Sequence, residues 1–423
     1  MVRRITLNHI TKIEGHASLD LKIRNGKIEK CHLEAVEGSR YFEGMVKGRR
    51  FDEAPEITSR ICGICSCAHT TCSVMAMENA LGITPSTRTI MLRELVTIGE
   101  RIRSHATHLY FLSLPDFYGY ESALAMSKDH RDKLQVALRM MKAGNELIKL
   151  NAGRDLHPIS LQIGKFLKEP TKEELGRIRD ALVSIIDDTV KTAELFATLD
   201  YPDFERETEY FSLVNPHHYA LLYGNLKSQS SEFEPKDYKA YLGEYHEEYA
   251  TANFVVKEGK SIMVGALPRM NNNWHLLKGR AKEILDRHSI KFPSKNPFHN
   301  NYAQALELVY FTERAIELID NLPETGEEVK VTPRAGHGIA AIEVPRGILW
   351  HEYELDENGN ILYANIITPT AQNLRNMQDD IREFVPRLLD RKKDEIVLEI
   401  EKLIRAYDPC FSCSTHFLKV NWE

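Results

Sequence analysis

No stretch of this chain stays apolar for the roughly 18 residues that a membrane span needs, so no span is expected. Positive charge is not in surplus: 55 Lys and Arg against 61 Asp and Glu leave a net charge of −6. That excludes the basic field of a nucleic-acid binder. The opening MVRRITLNHITKIEGH has two arginines but no apolar run behind them, so it does not read as an export signal. Internal repeats and low-complexity linkers are also missing. Cysteine is scarce and odd in number, with 7 residues unevenly placed. A secreted disulfide framework is denser and more evenly spread, so the chain is expected in a reducing cytoplasm.

What is present is a 423-residue chain, 43% hydrophobic and 27% charged, which can bury a large core. Residues 1–40 alternate like strands at Ile5, Leu7, Leu19, Leu21 and Ile23, with Asn25-Gly26 as a hairpin signal. From 84, after which Pro85 can open a helix, apolar residues keep helical spacing through Ile90, Leu92, Leu95, Ile98 and Ile102, on to 114. Further helical patterns cover about 120–152, 172–199, 275–290 and 300–322. The stretch 203–262 has no clean period and reads as an insertion of strands and loops. Gly336 and Gly338 precede strands predicted at 339–343, 347–355 and 361–367, with Asn358-Gly359 as a turn. A last helix is predicted over 371–406, interrupted at Pro386. The expected fold class is α+β: a large central helix bundle flanked by β structure from the N- and C-terminal segments. It forms a single domain with 1–83 as a β segment carrying the first cysteine motif, 84–330 as the bundle, and 331–416 as a β segment, helix and second cysteine motif.

The cysteines form two motifs at opposite ends of the chain. The first is Arg60-Ile-Cys62-Gly63-Ile-Cys65-Ser-Cys67-Ala-His69 and the second is Asp408-Pro409-Cys410-Phe-Ser-Cys413-Ser-Thr-His416. Two intervening residues let both sulfurs of a CxxC converge on one metal. Four thiolates are a soft donor set suited to zinc, an iron-sulfur cluster, or nickel with iron; independent redox dithiols are a further reading. Zinc ribbons, however, bring their pairs close in sequence, and here each pair also has a histidine a few residues on.

These motifs resemble the paired signatures of nickel-iron hydrogenase large subunits. Lys12-Ile-Glu14-Gly15-His16 resembles that family's RIEGH, Glu343-Val344-Pro345-Arg346-Gly347 its EAPRG, and Ile367-Thr368-Pro369-Thr370 its VPTT segment. His108-Leu-Tyr…Leu114-Pro115-Asp116 and Ala303…Phe311 resemble the cytoplasmic, pyridine-nucleotide-linked hydrogenases, including the sulfhydrogenase type. Valine in EVPRG and the PTAQN segment depart from the family's usual residues without removing a ligand.

The resemblance implies H2 oxidation and proton reduction. Cys62 and Cys410 would be terminal nickel ligands, and Cys65 and Cys413 would bridge nickel to an iron bearing CO and cyanide. Glu14 would accept a proton from Cys410. Arg346, beside Pro345, would reach over the iron, with Asp116 and Asp408 pairing with it. Thr370 would donate to a cyanide, and His69 would hydrogen-bond a cysteine sulfur. Glu43, the carbonyl of Ile366 and His416 would hold Mg2+, or iron or zinc in its place. Cys31, Cys67 and Cys72 match no ligand position and read as small buried hydrophobes or helix residues, too few for a cluster of the chain's own. Implied partners are a small iron-sulfur subunit, further flavin- and NAD(P)-binding electron-transfer subunits, maturation chaperones, and an endopeptidase that removes residues 417–423. An uncut tail is expected to accompany either an empty centre or a C-terminal CxxC displaced from Cys62 and Cys65. The alternative is a subunit that keeps the fold for structure or energy coupling, without the full centre.

Overall fold

The computed structural model describes residues 2–36, 38, 40–327 and 329–415. Alternation of buried and half-buried residues along Ala17–Arg24 gives the first sheet one core face. It is an antiparallel meander of Val2–Leu7, Ala17–Arg24 and Lys27–Ala35. Asn25 and Gly26 both adopt positive φ, 50° and 79°, as a two-residue hairpin of the expected kind requires.

The bundle is built from long helices, Thr87–Thr107, Arg131–Ala152, Lys172–Ala197 and Asn300–Asp320. Ser86 caps the first, accepting from the Thr89 N–H, and Thr171 with Glu174 forms a capping box on the third. The pattern read as one helix over 120–152 is two, Ala123–Met126 and Arg131–Ala152. The stretch without a period contains short strands and a 3-10 turn, Pro235–Ala240. The last helical region is Pro369–Phe384 and Lys393–Ala406, separated at Pro386 by the 3-10 segment Val385–Leu388.

The segment 1–83 is not purely β. It contains Phe42–Val46, Ala54–Thr58 and a long helix, Ser66–Leu81, whose residues are buried except Asn79. That helix lies against the sheet Gly336–Val344, Gly347–Leu355, Ile361–Ile367. The approach is close enough that a Cβ on Gly336 would lie 2.0 Å from the Ala80 carbonyl oxygen, and one on Gly338 would lie 2.1 Å from that of Ala76. These glycines let helix backbone rest on strand backbone, setting the helix that follows the first cysteine pair against the sheet whose hairpin carries Arg346. No described helix is long and apolar enough to cross a membrane.

Candidate metal centre

Both cysteine pairs sit where a helix begins. Cys62 is extended after the turn Ser59–Ile61, and Cys65 is the residue before Ser66–Leu81. The loop between them is held from outside: Arg103 donates to the Ile64 carbonyl at 2.7 Å and to that of Asp155 at 2.7 Å. The Glu100 carboxyl oxygens accept from the Cys67 and Ala68 N–H groups at 3.1 Å, capping the start of the helix. Burial, followed by the charge of Cys65, pushes the Glu100 carboxyl up to about 8.

The second pair comes in from the other end of the chain. Asn300 and Gln304 donate to the Ala406 carbonyl and the Asp408 carboxylate, and a His108 nitrogen lies 2.7 Å from the Arg405 carbonyl oxygen. Asp408 takes a positive φ of 50°, which a short polar side chain tolerates. The chain then pairs with its own beginning: Glu14 and Cys410 form a parallel bridge, with the Phe411 N–H donating to the Glu14 carbonyl at 3.0 Å. The Cys410 N–H donates to the Thr370 hydroxyl at 2.8 Å.

Consequently the sulfurs of Cys62, Cys65, Cys410 and Cys413 all lie within 4.8 Å of one another, every one buried. Among the described residues no other such group of ligand side chains converges. All seven cysteines are free thiols. The C-terminal pair is therefore not displaced: Cys410 Sγ is 3.6 Å from Cys62 Sγ and 2.6 Å from Cys413 Sγ. Hydrogen bonds from Cys410 and Cys413 draw the Cys62 thiol well below its usual range, and the same neighbours lower Cys65. Burial pushes Cys410 and Cys413 up. A dry pocket cannot hold four thiolates unless a cation compensates them, so this donor set fits a soft metal. His416 and residues 417–423 lie outside the described residues, and with them the expectation of a cleaved tail.

Beside the sulfurs is a small cavity walled by Val344, Leu349 and Pro369, with Arg346, Thr370 and His69 as its polar lining. The valine of EVPRG is thus part of the wall. Arg346 donates to Cys65 Sγ at 3.3 Å and to the Asp408 carbonyl at 2.8 Å, and its guanidinium pairs with the Asp408 carboxylate at 3.1 Å. Asp116 does not take the expected place. It lies on the short helix Leu114–Phe117, where Arg405 reaches it at 2.7 Å and Lys12 also pairs with it. Of the two expected partners, Asp408, two residues before Cys410, is the one that meets Arg346.

The carboxylate of Glu14 is 2.8 Å from Cys410 Sγ and accepts from the Ser412 N–H at 3.3 Å. His69 Nδ1 is 3.1 Å from His351 Nε2. His351 Nδ1 is 2.7 Å from the Tyr353 hydroxyl, which is 3.0 Å from that of Ser73. His351 pairs across the sheet with Ile366. The helix Phe42–Val46, which carries Glu43, packs against the strand Ile361–Ile367 that carries Ile366. Sequence reasoning missed His351, Arg103, Glu100 and Arg405; each is a lone residue in a regular element, without a motif around it.

A family description of nickel-dependent hydrogenases matches residues 40–169 and 240–416. This chain belongs to that family, as the catalytic large subunit of a nickel-iron hydrogenase, an oxidoreductase acting on H2. It is 36% identical to sulfhydrogenase 1 subunit alpha of Pyrococcus furiosus, an alignment covering 98% of both chains. It is 29% identical to the NAD-reducing hydrogenase HoxS subunit beta of Cupriavidus necator, over 99% of this chain and 96% of that one. The crystal structure of an NAD+-reducing NiFe-hydrogenase in the H2-reduced state shares the fold, with a TM-score of 0.88, 23% identity, and coverage of 98% of this chain and 99% of the other.

Proposed function

We propose that Cys62, Cys65, Cys410 and Cys413 would hold nickel, that Cys65 and Cys413 would also hold iron, and that Glu14 carries protons away from this centre during H2 oxidation. The observation that carries the reading is the convergence of four buried sulfurs with a carboxylate 2.8 Å from one of them. When bound, the metal pair would supply Lewis-acid polarisation of H2 and a sink for its two electrons. The chain's own work is to receive the proton. A Cys410 thiolate takes it first and hands it to Glu14, which is half-buried and opens toward the surface. The second proton follows the same way, so each H2 yields two protons and two electrons.

Iron carrying CO and cyanide would sit beside this cavity, where the apolar walls would suit CO and Arg346 and the Thr370 hydroxyl would donate to cyanide nitrogens. Asp408 and the carbonyl of Pro345 belong to the frame that orients Arg346, and His69 lies beside the sulfurs with His351 behind it. Glu43, the Ile366 carbonyl and His416 would hold Mg2+, or iron or zinc, tying the C-terminal motif to the N-terminal half. Asp116 orders Lys12 and Arg405 around the Glu14 segment.

The remaining parts of the reading concern the whole assembly. They are one catalytic domain over 1–423, a cytoplasmic location, a small iron-sulfur partner with further NAD(P)-linked electron-transfer subunits, chaperones, and an endopeptidase acting on 417–423. The names of the alpha and beta subunits above, and of their NAD-reducing relatives, support the partners and the acceptor. Metal analysis with infrared spectroscopy of the purified complex is the test. About one nickel and one iron per chain with CO and cyanide bands is expected; zinc alone would overturn the reading in favour of a structural subunit.

A further inference from the structure

We propose that Arg269 is a positioning residue for Arg346: one buried guanidinium fixes the turn that carries the other. The inference rests on the reading of Arg346 just given. Arg346 sits at the tip of a two-residue hairpin, Pro345-Arg346, between paired Val344 and Gly347. Two-residue hairpins favour turns with positive φ at their first loop position, because those turns match the twist of the strands. Proline holds φ near −65° and cannot adopt them. The loop therefore has the hand that splays its strands. Gly347 absorbs part of the mismatch at a φ of 135°, where a Cβ would lie 2.5 Å from Val264 Cγ2.

Arg269 supplies the rest. It is fully buried on the helix Ala266–Asn273, and its Nη1 and Nη2 donate to the Val344 and Pro345 carbonyls, both at 2.9 Å. These are the two carbonyls immediately before Arg346. The same guanidinium meets Glu307 through Nε at 2.6 Å and Nη2 at 2.8 Å, and Glu343 through Nη1 at 2.9 Å. Only a planar fork of five donors can make this set.

The surroundings hold the fork still. Tyr219 donates to Glu307 at 2.8 Å, the Leu213 N–H to the Glu343 carboxylate at 2.8 Å, and Arg101 to the Glu343 carbonyl at 2.9 Å. His105, 2.7 Å from Glu307, is pushed down to about 4 by burial and stays neutral. Two cations, Arg101 and Arg269, thus face two anions, Glu307 and Glu343. A balanced, buried cluster of this kind gives one geometry or none. Arg269 touches no sulfur among the contacts of the described residues; it acts on the centre through the backbone of Val344 and Pro345.

The test uses the assembled, metal-loaded complex and three variants: R269K, R346K and the double. Lysine keeps the charge but cannot hold two carbonyls and two carboxylates. R269K is expected to retain nickel and iron, to shift the infrared bands of the iron's diatomic ligands, and to lower kcat about 10- to 100-fold. The double variant is expected to lose no more activity than R346K alone, since both act through one side chain. Unshifted bands with losses that multiply in the double variant would overturn the proposal. Absence of diatomic bands in the unaltered enzyme would sink the reading of the iron ligands, yet additivity in kcat would still decide the role of Arg269. If R269K does not accumulate folded, Glu343→Gln weakens the Nη1 contact while keeping an acceptor for Leu213. It should give a smaller shift of the same bands, again without multiplying the loss in R346K, and unshifted bands in that variant also overturn the proposal.

Discussion

Cys410 is held by its backbone through Thr370 and by its thiol through Glu14. Replacing Glu14 by glutamine keeps the shape and the contact with the Ser412 N–H but removes the titrating oxygen. Turnover should fall at least about a hundred-fold with the metal content unchanged; normal turnover in E14Q would remove Glu14 from the proton path. The cysteines divide into two sets. Serine at Cys62, Cys65, Cys410 or Cys413 should abolish the centre. Cys31, Cys67 and Cys72 point their thiols at the separate carbonyls of Gln378, Asp155 and Leu349. Alanine at any of these three should cost about 1–2 kcal/mol of stability and leave nickel in place, checked by thermal unfolding and metal analysis. A third residue sets an acid limit. Burial lowers His299 from 6.5 to about 4, with the Ser294 hydroxyl 2.7 Å from its Nδ1. Between those values only the unfolded chain takes the proton, so stability falls as pH drops from about 6.5 to about 4, by on the order of 3 kcal/mol. Melting temperature should fall less steeply over that range in H299Q, with His105, lowered by burial to the same region, keeping its own share. An unchanged pH profile there would assign the acid limit to other groups.

At the scale of elements, the sequence disclosed those whose two faces differ. The strands about Asn25-Gly26 and the helix capped by Ser86 alternate or repeat visibly, because one side meets core and the other water. The helix Ser66–Leu81 carries no such contrast: buried on nearly every side, it has Thr, Ser, Met and Ala all round, and only its first motif was noticed. Gly336 and Gly338, which looked like residues ahead of a strand, lie inside one because that helix presses on them. The four cysteines and Glu14 were legible as motifs. The pairing of Asp116 was not, since which of several arginines a carboxylate meets is decided by where distant helices end. Gly338→Ala should therefore destabilise by about 3 kcal/mol, seen as a lower melting temperature, because its Cβ has only helix backbone to displace. A neutral change would mean that the helix and sheet can slide apart at no cost.

For the molecule as a whole, no second group of metal-ligating side chains converges among the described residues. Electrons arriving at the centre should stop there. The isolated, metal-loaded chain should reduce external dyes at no more than a few per cent of the rate of the assembled complex, and full dye reduction by the chain alone would refute the need for an iron-sulfur partner.

The bridge between Glu14 and Cys410 also sets a sequence of events in time. At roughly 5–20 residues per second, the ribosome releases Cys62 and Cys65 some tens of seconds before Cys410 and Cys413. During that interval half of the donor set exists without the other half, and the strand that will cover it has no mate. Loading can be finished only once synthesis has passed the second pair, and the segment around Cys410, by pairing with Glu14, then shuts the door on whatever has been put inside.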